Sequence, residues 1–215
     1  MNESPTSAPR STDGRRPGIL KSLYLWVLSW ADTPYGTPAL FVLAFTESSF
    51  FPIPPDVLQI ALSVSKPRRS FYYAVISGVG SVLGGVLGWF IGYAFWSALG
   101  GFFTSYVPGC SPENIEYVGA MYGDNAFLAI LGAAFTPIPY KVFTVSAGIF
   151  HQDVSLGVLI AASTLGRFAR FLAVAVCIFF FGPSVKSLLE KYFEMAALLL
   201  FVLLVGGFVL IKWLL

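Results

Sequence analysis

Charge is scarce in this chain: Lys, Arg, Asp and Glu together make up 11% of its 215 residues. A soluble domain carries about 25%. The net charge of +2 is too small to argue for nucleic acid as a partner. Cysteine is almost absent. Cys110 and Cys177 match no metal-ligand spacing, and one is expected in a loop and the other inside an apolar helix, so no disulfide is predicted. The single histidine, His151, lies in a polar turn beside Asp153 and cannot build a metal centre alone. Neither a cofactor nor a metal is expected. What fills the chain instead is apolar: 56% of residues, a mean hydropathy of +0.76, and apolar runs along most of its length. That spread predicts an all-α integral membrane protein and excludes a soluble domain on a single anchor.

Residues 1–18 are rich in Ser, Pro, Thr and Arg and read as a disordered tail. The apolar segment that follows has no small-residue cleavage site, so no signal peptide is predicted. Residues 19–30 are too short to span and suit an interfacial helix, with Trp26 and Trp30 fitting an aromatic belt. Residues 19–215 are taken as one polytopic domain: a first repeat over about 35–99, a second over about 120–182, and a C-terminal helix within 186–215. True spans are predicted over 70–99, 154–181 and 196–215, with a polar, Gly-rich loop over 100–125.

Two apolar segments are interrupted. In 39–65, Pro52, Pro54 and Pro55 fall between Glu47 and Asp56. Each proline lacks an N–H and biases its predecessor toward extended geometry, so no continuous helix survives. In lipid such a break must be buried in protein or line a wet cavity. Pro52-Ile53-Pro54-Pro55-Asp56-Val57 reappears as Pro137-Ile138-Pro139-Tyr140-Lys141-Val142 inside the apolar segment 126–150. Matching broken segments in two halves point to a transport site between inverted repeats. Each arm is too short for a hydrocarbon core of about 30 Å, so both segments are predicted to be re-entrant hairpins. Re-entrance also puts Arg10, Arg15, Arg16 and Lys21 on the same, cytoplasmic side as Lys66, Arg68 and Arg69.

Between the hairpins, Gly80, Gly84, Gly88 and Gly92 recur every fourth residue and predict a face for close helix packing, which also permits a homo-oligomer. Five charges are expected at membrane depth: Glu47, Asp56, Lys141, Arg167 and Arg170. Asp56 and Lys141 hold the same slot in the two copies, and Arg167 and Arg170 share a helix face. Two readings stay open. The five can be structural ion pairs that hold the broken helices. Alternatively, the one cation in excess marks an anionic substrate, with arginine forks and half-helix N-termini binding phosphate and the carboxylates titrating.

The stretch 47–56, the glycine-rich GVLGWFIGY at 85–93, Thr136-Pro137-Ile138-Pro139-Tyr140-Lys141-Val142-Phe143, and Gly166-Arg167 with Arg170-Phe171 together resemble the DedA (VTT-domain) superfamily, most closely its YqaA-like branch. The resemblance covers roughly residues 35 to 182. It implies a multi-pass protein of the bacterial inner membrane that moves lipids such as undecaprenyl phosphate or phospholipids, with proton coupling proposed for some members. The family's acidic pair falls on Glu47 and Asp56, and its arginine motif on Arg167 and Arg170. Lys141 departs from the pattern, because many members have arginine there, and the spacing from Glu47 to Asp56 is shorter. The expectation is therefore a lipid transporter and not an enzyme. The alternatives are a proton-coupled carrier of a small solute or ion and, from another class, an intramembrane lipid-phosphate hydrolase.

Overall fold

The computed structural model describes residues 33–51 and 53–182. The N-terminal tail, the interfacial helix over 19–30, the C-terminal span over 196–215 and Pro52 lie outside the described residues. Within them every regular element is helical. Helix α1 is Gly36–Glu47, α2 is Asp56–Ser65, α3 is Ser70–Ala94, α4 is Trp96–Tyr106, α5 is Pro112–Phe135, α6 is Tyr140–Ile149 and α7 is Leu156–Gly182. A single 3₁₀ turn, Pro67–Arg69, leads into α3.

Three stretches are long and apolar enough to cross a membrane: Pro67–Ala94, Pro112–Phe135 and Leu156–Gly182. The first and third correspond to predicted spans. Large apolar side chains such as Leu83, Phe90, Leu165 and Phe180 point outward from them, as a lipid-facing surface requires. The helix expected to continue to residue 99 stops at Ala94, where Phe95 leaves helical geometry, and α4 starts anew.

Residues 100–125 are not a loop. They hold most of α4 and the first half of α5, with only residues 107–111 between them. Their polar residues serve helices here: Ser111 caps α5 by accepting from Asn114 N at 3.2 Å, and Pro112 pre-sets its first turn. The helix α5 is bent at Asn125, whose φ of −163° and ψ of 91° are not helical. Asn125 Oδ1 accepts from Leu128 N at 3.0 Å, so it caps a second, shorter helix that begins at residue 126.

Both proline breaks occur where expected. After Glu47 the chain winds tightly, and the N–H groups of Ser49, Phe50 and Phe51 all bond to Thr46 O at 3.1, 2.9 and 2.8 Å. Pro55 then opens α2, with Asp56 in its first turn, where a carboxylate suits the helix dipole. The second break runs from Thr136 to Pro139, and α6 follows. The ten-residue arms α2 and α6 each reach about 15 Å, half of a bilayer core.

The long helix α3 is the post to which both broken segments attach. A Cβ at Gly80 would lie 2.7 Å from Phe41 O, and one at Gly84 would overlap the backbone of Phe45, so these two glycines admit α1. At Gly88 a Cβ would overlap Thr144, and at Gly92 it would overlap Val145 O, so the other two admit α6. The glycine face is thus occupied within the chain, and a homo-oligomer would need another surface.

Candidate functional site

The two breaks meet beside α7. Ser163, Arg167 and Arg170 form one polar face of that helix, at spacings of four and three. Arg167, 2% exposed, pairs through Nη2 with the Glu47 carboxylate at the end of α1. The same nitrogen donates to Ser48 Oγ at 3.0 Å, and Nε donates to Ser81 Oγ on α3. Ser81 Oγ and Ser48 Oγ lie 2.6 Å apart, and Ser48 Oγ donates to Glu47 Oε2 at 3.2 Å. The Arg167 guanidinium also lies 4.5 Å from the centroid of the Tyr140 ring, and the Tyr140 hydroxyl bonds Ser163 Oγ. Nε and Nη2 of this buried cation thus reach acceptors on two elements, Ser81 of α3 and the Glu47–Ser48 end of α1.

Arg170 serves the other side of the first break. It holds Asp56 with a two-nitrogen fork, Nε to Oδ1 at 3.2 Å and Nη2 to Oδ2 at 3.0 Å. Its Nη1 donates to Thr136 O at 2.6 Å, in the second break. Thr144 Oγ1 of α6 returns the link by donating to Ser48 O at 2.9 Å. Gly88 makes room for that threonine. The breaks are therefore tied together by side chains that satisfy backbone carbonyls.

The sequence-level slot match between Asp56 and Lys141 does not become a salt bridge, because Arg170 occupies Asp56 with better geometry than a lysine can offer. Lys141 is instead the excess cation. It is 5% exposed, at the start of α6, and its ammonium has no ion pair or hydrogen bond among the described residues. Glu47 is the nearby carboxylate whose charge acts on it. Loop 107–111 closes over this end of α6, with a Cβ at Gly109 falling 3.2 Å from Val142 Cγ2. Burial in that loop pushes the Cys110 thiol up to about 11, against the opposing pull of Lys141.

Thus Glu47, Arg167, Asp56 and Arg170 come together as two pairs, and Pro54, Pro55, Pro137 and Pro139 lie in the breaks those pairs flank. Ser81, Thr144 and Tyr140 are central to the arrangement but were not singled out as site residues from the sequence. Ser81 lies among the glycines of α3, and the run of small residues there was read as a packing surface only.

No family model matches the chain, and no solved structure does. Two curated proteins resemble it. A protein of Haemophilus influenzae, described only as uncharacterized, is 30% identical over 204 residues, which cover 90% of this chain and 98% of that protein. An uncharacterized homologue from Histophilus somni is 30% identical over 178 residues, 82% of this chain and 90% of its own length.

Proposed function

The chain belongs to the same family as those two uncharacterized bacterial proteins, and we propose that it moves a phosphate-bearing lipid across the bacterial inner membrane, with protons exchanged at Glu47 and Asp56. The observation that carries the reading is the charge inventory at the two breaks. Two arginine–carboxylate pairs tie the broken segments together, and Lys141, a largely buried residue, has no ion pair among the described residues. An unpaired cation in an apolar setting is costly, and a phosphate ester is the anion that a membrane supplies in quantity.

In this reading the two broken segments are re-entrant hairpins of an inverted repeat, and the headgroup enters between them. The resemblance to the DedA (VTT-domain) superfamily supports it. Both arginine forks already hold carboxylates, so the first contact with phosphate falls to Lys141. Protonation of Glu47 or Asp56 would release Arg167 or Arg170 for bidentate contact with the same phosphate. Carboxylate and phosphate would then compete for one fork, which couples proton uptake to headgroup binding.

Reconstitution in liposomes tests this. Fluorescent phospholipid and polyprenyl phosphate in the inner leaflet should become accessible faster with the protein than without it. Lys141→Gln should remove most of the acceleration, and Lys141→Arg should keep much of it. No acceleration with either lipid class would overturn the proposal.

A further inference from the structure

Two polar stripes lead away from the ion pairs toward the basic turn at 66–69. On α2, Asp56, Gln59 and Ser63 are spaced by three and four residues. On α3, Ser81, Ser77 and Ser70 are spaced by four and seven. Each set lies on one helix face. Both stripes face α7: Arg170 holds Asp56, Gln59 Nε2 donates to Phe171 O at 2.9 Å, and Arg167 donates to Ser81. At the far end Ser70 Oγ bonds Pro67 O at 2.8 Å, inside the basic turn.

Midway along the stripes, Gln59 Oε1, Ser63 Oγ and Ser77 Oγ are fully buried and have no hydrogen-bond partner among the described residues. Each such oxygen costs about 1–3 kcal/mol if left unpaired. A hydroxyl in a helix usually avoids that cost by bonding a carbonyl four residues back. Thr46, Thr104 and Thr164 of this chain do so. Ser63 and Ser77 do not, and they lie on α2 and α3, the two helices that Asp56, Gln59 and Ser81 link to α7. Apolar residues would pack there at no such cost.

The geometry points to a narrow water path between α2, α3 and α7, entering beside residues 66–69 and ending at Asp56 and at the Ser81–Ser48–Glu47 chain of hydroxyls. Water suits these atoms by chemistry, because Gln59 Oε1 requires a donor whereas the serines can give or take, and water does both. Metal cations are disfavoured by Lys66, Arg68 and Arg69 at one end and by Arg167 and Arg170 at the other. The role of this path in proton exchange rests on the transport reading above, but its existence does not.

Thiol accessibility in nanodiscs, without any substrate, tests the path. Ser63→Cys and Ser77→Cys would be treated with methyl methanethiosulfonate, a small neutral reagent, and the label located by mass spectrometry. Ala74→Cys and Ala175→Cys, in the apolar cluster of the same α3–α7 contact, serve as dry references. Thiolate is the reactive form and a wet site favours it, so the two serine positions should react at least about tenfold faster than the references. Equal rates at all four positions, slow or fast, would overturn the path. Radiolysis of the unsubstituted protein gives a second reading free of packing changes: hydroxyl radicals formed in internal water should oxidise Phe171, which is fully buried beside Gln59. Unoxidised Phe171 would count against the path. If lipid movement fails in liposomes while the serine positions label, the path stands and the transport reading falls.

Discussion

Glu47 and Asp56 stand out in the sequence because a carboxylate inside an apolar run has few innocent explanations. Their partners do not. Which arginine meets which carboxylate depends on how α1, α2 and α7 cross, and no spacing rule reaches across more than a hundred residues. Ser48 and Ser81 are less visible still, because hydroxyls are tolerated in any membrane helix that can bond them back to its own carbonyls. The pair geometry sets what an arginine exchange does. Arg167 donates from two nitrogens to Ser81, Ser48 and Glu47, so Arg167→Lys would leave acceptors unmet and lower stability as well as activity. Removing the carboxylate is the cleaner experiment. Glu47→Gln alone should cost about 3–5 kcal/mol, because it strands a buried guanidinium. Adding Arg167→Gln should recover a good part of that loss. Thermal unfolding in detergent measures both, and liposome transport should remain lost in the double variant. If the double variant is no more stable than Glu47→Gln alone, the pair does not hold the break.

The elements were readable to different degrees. Proline spacing located both breaks to within a few residues, since the loss of an N–H is a local property. The four glycines of α3 were legible as a packing face. That α1 takes Gly80 and Gly84, while α6 takes Gly88 and Gly92, was not legible. The α4–α5 region was misread because its polarity resembles that of a loop, although Ser111 and Asn125 act there as helix caps. Close approach at the glycines gives a graded test. Gly84→Ala places a methyl group against the backbone of Phe45, which cannot move without shifting α1, and should cost about 1–3 kcal/mol. Gly132→Ala, with nothing within 4 Å of the new Cβ, should be neutral or stabilise the helix by up to about 1 kcal/mol. Equal melting shifts for the two would mean that α1 does not pack closely on α3 at Gly84.

At the scale of the whole molecule, α5 decides how the chain threads the bilayer. Its 24 residues are long enough to cross. Yet the bend at Asn125 divides it into a more polar half, with Glu113, Glu116 and Asp124, and an apolar arm over 126–135 that ends at the second break. If the arm and α6 form a hairpin that dips and returns, Asp124 and Asp153 face the same side as Pro108, opposite Lys66. Pro38 then shares the side of Lys66, because the first broken segment also returns. Single cysteines at 38, 66, 108, 124 and 153, labelled with an impermeant maleimide on sealed vesicles of known orientation, read this directly. Position 108 is preferable to its neighbour, since Gly109 has a φ of +90° and resists a side chain. The expected pattern is 38 and 66 from one face, and 108, 124 and 153 from the other. Protection of position 124 from both faces would put α5 through the membrane as an unbroken span. Labelling of 38 and 66 from opposite faces would turn the first hairpin into a span, and with it remove the two-sided symmetry on which a site between repeats depends.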